Sequence, residues 1–229
     1  MASLPLKNKY TTMKKTLFAL LLAFTSTFSF AQDASRVRLG LTAHPNFGFL
    51  KVENGKGNGL STGFTYGLIS DFEFAENYCF ATGLTVTTIN GSGTVLNYQP
   101  FHGVSAANSD YDVKFKMQYL EIPLSIKLKT DEANNVKYYG QFGLTTDFRI
   151  GARLDVERGN TPLVDDVKAT DNTKFFRAGM IIGGGAEYRM SGKTSLVGGL
   201  TYNNGLTNIA KNDQSIKNHY VGINIGVFF

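Results

Sequence analysis

The sequence predicts an all-β fold, an eight-stranded antiparallel up-and-down transmembrane β-barrel with short periplasmic turns and long extracellular loops. Three observations carry that prediction. Apolar and polar residues alternate with period two through most of the chain beyond residue 31, which gives each strand one apolar face. The segments between these stretches are alternately long and short, as in a barrel whose turns face one compartment and whose loops face another. The chain ends YVGINIGVFF, with Tyr220 opening the stretch, Val221, Ile223, Ile225, Val227 and Phe229 on one face, and an aromatic C-terminus. A closed barrel has no free edge, so the last strand must pair with the first.

Residues 1–31 read as a secretory signal peptide: a basic start at Met13-Lys14-Lys15, an apolar run Leu17–Phe24, and Ser29-Phe30-Ala31 as a cleavage site. Met13 stands as an alternative translation start. Residues 32–229 are then one outer-membrane β-barrel domain. The chain carries a formal charge of +5, but Lys7, Lys9, Lys14 and Lys15 belong to the leader, which has no acid. The exported part is therefore nearly neutral, and a nucleic-acid partner is not implied. Cys79 is the single cysteine, so no intrachain disulfide is possible, and its place in an alternating stretch favours packing over reactivity. No run of about 20 apolar residues offers a transmembrane helix.

Eight strands are expected: Arg36–Phe47, Ser61–Phe74, Tyr78–Asn90, Val113–Leu128, Val136–Leu154, Lys174–Met190, Thr194–Asn203 and Lys217–Phe229. The connections after the second, fourth and sixth are short (AEN, KTDEANN, SGK). Those after the first, third, fifth and seventh are long and polar. Aromatic residues gather near both sets of strand ends, as two interfacial girdles would: Phe72, Phe74, Tyr78, Phe80, Tyr138, Tyr188 and Phe229 on the periplasmic side, and Phe47, Phe49, Phe148, Phe175 and Tyr202 on the outer side. Alternation by itself is shared with a soluble β-sandwich, so the leader, the loop asymmetry and the C-terminus decide between them.

The fourth, fifth and sixth strands send Leu120, Ile122, Leu124, Phe142, Leu144, Met180 and Ile182 to one face. They send Glu121, Lys127, Asp147, Arg149, Arg177, Glu187 and Arg189 to the other. An eight-stranded barrel is filled by its own side chains, and isolated buried charges are too costly. These seven are therefore expected to form a paired lumen network; a proton or ion path is the functional alternative. Pro123 gives the ladder no donor and predicts a bulge or irregular register near Glu121. Gly183-Gly184-Gly185 reads as wall flexibility. GKGNG at Gly55–Gly59 reads as a flexible loop tip, since it lacks the Lys-Ser/Thr pair of a phosphate loop. NGS at Asn90–Ser92 reads as turn chemistry at a strand end.

Chemistry is otherwise sparse. His44, His102 and His219 lie far apart, and no metal-ligand spacing is present. His102 with Ser105 is the best catalytic pair on offer, with no third group to orient it. No cofactor is expected. Gly91–Asp112 and Asp155–Thr173 are the longest loops, and Asp155, Glu157, Asp165 and Asp166 are the best candidates for loop contacts.

MQYLEIPLSIKLKT (Met117–Thr130) followed by YYGQFGLTTDFRI (Tyr138–Ile150) is similar to the PorT-like outer-membrane β-barrel proteins of Bacteroidota. The family pattern Tyr-Leu-Glu-Ile-Pro-Leu falls on Tyr119 to Leu124. The resemblance spans essentially the whole exported chain and implies a barrel in the bacterial outer membrane. It supplies no catalytic residues. Its namesake is linked to type IX secretion, so the implied role is a non-enzymatic structural or accessory component of a secretion or envelope-assembly complex. The C-terminal stretch Tyr220, Val221, Ile223, Ile225, Val227 and Phe229 separately resembles the insertion signal read by the outer-membrane assembly machinery, so the expected partners are outer-membrane lipid, that machinery and other envelope proteins. The alternatives are a free-standing barrel that binds a ligand or surface through its external loops, an outer-membrane lipid-modifying enzyme, and a small-solute channel.

Overall fold

The computed structural model describes residues 37–98, 109–159, 161–211 and 215–229. The expected leader, Met13, His102 and Ser105 lie outside the described residues. Among the described residues ten strands run in order: β1 Val37–Val52, β2 Gly55–Gly57, β3 Ser61–Ala75, β4 Tyr78–Tyr98, β5 Ser109–Lys129, β6 Val136–Arg158, β7 Thr161–Lys168, β8 Phe176–Ser191, β9 Thr194–Gly205 and β10 Ile216–Phe228. Eight of them close a ring in the order β1-β3-β4-β5-β6-β8-β9-β10, every neighbour antiparallel. Closure runs from Gly40↔Phe228 to Val52↔Ile216, so the terminal strand satisfies its backbone groups against the first.

The turns at one end are tight. Asn134 and Asn135 take φ of 51° and 64°, the doubly left-handed pair that a two-residue hairpin turn requires. At the other end β4, β5 and β6 run well past the ring, and β7 folds back antiparallel on β6. The expected loops Gly91–Asp112 and Asp155–Thr173 are therefore in large part extended sheet. GKGNG is not a free tip either: Gly55–Gly57 pairs with Gly93–Val95 of β4. Asn90–Ser92 lies within β4 and pairs with Lys114–Lys116, so it is not a turn.

One strand shows why the chain extends this way. Going up β5 from the tight-turn end, the outward positions read Leu128, Ile126, Leu124, Ile122, Leu120, then Gln118, Lys116, Lys114, Asp112, Asp110. The inward positions read Lys129, Lys127, Ser125, Pro123, Glu121, then Tyr119, Met117, Phe115, Val113, Tyr111. Both faces change character at residues 118–121. In β6 the outward face changes from Phe142, Leu144 and Ile150 to Arg153, Asp155 and Glu157. Its inward face changes from Asp147 and Arg149 to Ala152, Leu154 and Val156. A bulge marks the same level: Gln118 pairs with Gly151 and Tyr119 with Arg149, leaving Ile150 as the extra residue.

Pro123 causes no bulge. The β4–β5 ladder has no partners at Gly83–Leu84 and resumes in the same register on either side, Thr82↔Leu124 and Thr85↔Glu121. The imide lacks its donor, so bonding lapses locally while the pairing count is kept. In β8 and β9 a Cβ on Gly185 would meet the Tyr139 hydroxyl at 2.8 Å, and one on Gly199 would meet it at 2.6 Å. These glycines make room for the Tyr139 side chain inside the wall, which is a packing role rather than a ligand site.

Candidate functional site

Three layers stack inside the barrel. The lowest is ionic. Asp71 on β3 accepts from Lys127 at 2.9 Å and from Lys129 at 3.0 Å, both on β5. Glu187 on β8 accepts from Arg38 at 2.6 Å and lies 3.2 Å from Lys129. Phe228 is buried against this group: the Arg38 guanidinium sits 4.5 Å and the Lys127 ammonium 5.2 Å from its ring centre. Three cations share two buried carboxylates and a π-face, with Glu73 3.9 Å from Lys129 at the rim, which is how desolvated charge is tolerated. β10 delivers Phe228 inward because Phe229, one residue on, takes the outward position.

Above this layer is a cavity of about 110 Å³ lined by Thr42, His44, Thr85, Glu121, Gln141 and Asn224, among others. The second layer caps it. Arg177 on β8 is fully buried. It pairs with Asp147 on β6, and it donates to Asn218 Oδ1 at 2.6 Å and Asn203 Oδ1 at 2.8 Å. Glu121 accepts from the Tyr220 hydroxyl at 2.9 Å. Glu121 and Asp147 face each other in register across β5 and β6. Like charges so placed repel, and Arg177 offsets that.

The third layer is apolar. Phe115, Met117, Leu154, Val156, Ile209 and Ile216 pack together with exposures of 1% or less. They lie inside the extracellular extension, so the outer mouth is filled by a hydrophobic core. Part of that core, Ile209 and Ala210, comes from the segment after β9, tied down by Thr173↔Ala210 and by Lys174 N–H donating to Ile209 O at 2.8 Å.

The seven charges expected to line the lumen are thus divided. Lys127 and Glu187 are in the ionic layer; Glu121, Asp147 and Arg177 are in the capping layer. Among the described residues Arg149 meets no carboxylate. It donates to Thr170 O and Thr173 Oγ1, both at 2.6 Å, and pins the strap after β7. Arg189 is outside the lumen, exposed at the tight-turn end and 2.5 Å from Glu132, because β8 has reached the rim by that residue. Asp71, Lys129 and Arg38 complete the ionic layer and were missed. Each lies near the periplasmic end of its strand on the inward parity, and that parity was the available signal.

Tyr220 turns inward to Glu121, while Val221, Ile223, Ile225 and Phe229 face outward. Of the expected loop contacts, Asp155 and Glu157 stand on β6 and Asp165 and Asp166 on β7. Lys116 Nζ lies 3.0 Å from Asp155 and 3.1 Å from Asp166, and Arg153 also pairs with Asp166. His44 lines the cavity; His219 has the outward parity of β10 but is buried, its Nδ1 accepting from Gly205 N–H at 3.2 Å and its ring 5.2 Å from that of Phe49. Among the described residues no group of His, Cys, Asp and Glu is placed to hold a metal ion.

A closed eight-stranded ring with an apolar outer band and a side-chain-filled lumen defines an outer-membrane barrel. The family model described as outer membrane protein beta-barrel domain matches residues 30–211, and the chain belongs to that family. Among solved structures it is similar to surface protein A of Neisseria, at 15% identity over 83% of this chain and 95% of that one, TM-score 0.46. It is also similar to OprG of Pseudomonas aeruginosa, at 13% identity over 84% and 93%, TM-score 0.41. Ail of Yersinia pestis follows at 12% identity over 85% and 98%, TM-score 0.38. No curated protein matches the chain.

Proposed function

We propose that this protein is a non-enzymatic, non-conducting outer-membrane barrel that acts at the cell surface through the sheet formed by the upper parts of β4, β5, β6 and β7. The observation that carries this reading is the lumen, stoppered by an ionic layer below and a hydrophobic core above. A filled interior leaves the extracellular sheet as the working surface, and that sheet is built as rigid paired strands with their own core. Asp155, Glu157, Asp165 and Asp166 stand on it as contact residues. Outer-membrane lipid surrounds the wall, and the outward residues of β10, together with Phe229 after it, serve as the signal for the assembly machinery.

A second reading, an accessory subunit of a type IX-like secretion or other envelope-assembly complex, is supported by the PorT-like pattern at Tyr119–Leu124. Two measurements test both readings. Planar-bilayer recording of the purified protein is expected to stay flat, and a steady conductance would sink the stoppered-lumen reading. Gentle detergent extraction of the native protein followed by sizing then separates the two: a lone barrel-sized particle supports the free-standing platform, whereas a large particle with defined outer-membrane partners supports the accessory subunit.

A further inference from the structure

The outward face of the extracellular sheet sorts its charges by height. On β5 the order going away from the apolar band is Lys116, Lys114, then Asp112, Asp110. On β6 it is Arg153, then Asp155, Glu157. On β7, which runs the other way, it is Lys168, then Asp166, Asp165. At the outward positions of all three strands the cations lie nearest the lipid-facing wall and the carboxylates farther from it, with Arg158 at the tip of β6 beyond Glu157. Lys116, Arg153 and Lys168 are also direct cross-strand neighbours, in one row. Like charges in register destabilise a sheet; Asp155 and Asp166 offset this for Lys116 and Arg153, and an external anion against the face would offset it for the row as a whole.

The positions of its neighbours show which anion. Below the row, past Gln118 and Gly151, are the bulged Ile150 and the outer aromatic cluster, Phe148 with Phe175 and Phe176 at centroid distances of 5.9 Å. These are the residue types that meet acyl chains and the interface. A ligand spanning both levels has an apolar lower part and an anionic head. Asp155 and Asp166 hold Lys116 and Arg153 in place from above, while the Arg153 side chain keeps 60% of its surface exposed. Lys114 and Lys168 are exposed as well, so cations outnumber carboxylates at this level.

We infer that the Lys116–Arg153–Lys168 row is a binding site for the phosphate groups of outer-leaflet lipid, holding the extracellular sheet at a fixed height and orientation over the membrane. The inference rests on reading that sheet as the working surface and gives it a lipid partner. Cations at a charged lipid surface contribute additively, so removing three is expected to weaken binding on the order of 100-fold.

The test titrates the purified full-length protein in detergent with a bisphosphorylated lipid A-type glycolipid and with its dephosphorylated counterpart, and native mass spectrometry counts what is retained. The phosphorylated lipid should bind at least about tenfold tighter, and Lys116→Gln/Arg153→Gln/Lys168→Gln should abolish the difference while Lys56→Gln keeps it. Equal retention of both lipids by the wild type overturns the inference with no variant needed, as does an unchanged difference in the folded triple variant. Inorganic phosphate that competes as well as the lipid would make the site one for a soluble ion and overturn it too. A conducting lumen would sink the platform reading while leaving this titration intact, so the two failures are distinguishable.

Discussion

Below Gln118 the barrel is apolar outside and polar inside; above it the same strands are polar outside and apolar inside. The two regions share strands, ladders and side-chain parity. What differs is the solvent outside the wall. Lipid surrounds the lower part, so burial drives few apolar side chains in, and apart from the small cluster of Tyr139, Val197 and Phe228 the lumen is left to polar groups that largely satisfy one another. Water surrounds the upper part, so burial of apolar surface drives Phe115, Met117, Leu154 and Val156 inward. The lower region is held by charge pairing and closure; the upper is an ordinary hydrophobic core that happens to sit on a membrane protein.

That contrast can be broken most severely in the lumen. Arg177→Leu leaves Asp147 buried beside Glu121 without its cation, and should cost about 3–5 kcal/mol in urea unfolding from lipid vesicles. Arg177→Leu/Asp147→Leu should recover part of it, whereas additive losses would show that the pair is not coupled.

A sharper comparison uses one face of one strand. Leu124→Lys places a charge against the middle of the bilayer and should cost about 2–4 kcal/mol. Lys114→Leu, outward on the same strand but above the switch, should stay within about 0.5 kcal/mol. Similar costs for both, read from the same unfolding curves, would mean the switch at residues 118–121 is not the membrane boundary.

Val156→Ala should cost about 2 kcal/mol. The loss should show as faster amide exchange in the upper β4–β7 sheet, with the lower wall unchanged. Exchange rising throughout the barrel would show the two regions to be one cooperative unit.

The smallest effect is electrostatic and lies at the sheet surface. The hydrogen bond from Lys116, with Arg153 beside it, holds the Asp166 carboxyl below its ordinary range. Hydrogen bonds to Asp155 and Asp166 hold the Lys116 ammonium above its own. A depressed carboxyl stabilises above its unfolded value and loses that contribution as pH falls through its folded one. The β6–β7 hairpin should therefore loosen slightly below about pH 4. Asp166→Asn should remove that pH dependence, monitored by amide exchange at Asp155 and Asp166.

Much of the lower region was legible in the residues. Leu120, Ile122 and Leu124 against Glu121 and Lys127 gave the two faces of β5, and the short AEN and SGK segments gave the turns. The upper region was legible in part: Val113–Tyr119 and Ala152–Leu154 fall within the expected strands, whereas Gly91–Asp112 and Asp155–Thr173 read as loops. Tyr111, Val113, Phe115, Met117 and Tyr119 continue the inward parity of Glu121 without a break. Extending the alternation and noting that its polarity reverses would have found the upper sheet. The same reversal separates a barrel from a sandwich, because a single strand meets two different solvents only at a membrane surface.

The sequence by itself determined the closed antiparallel barrel, its even strand count and the parity of each side chain, because period-two patterning and turn chemistry are local. Only the tertiary structure decided which charges meet. Asp71 lies beside Lys127, 56 residues away, and Arg38 reaches Glu187, 149 away, through closure of the ring. Arg149 and Arg189 share the parity of Arg177 yet leave the network, because height along the barrel, set by register and by the bulge at Ile150, decides what each side chain can reach. Parity is written in one strand; height is fixed only when all eight are paired.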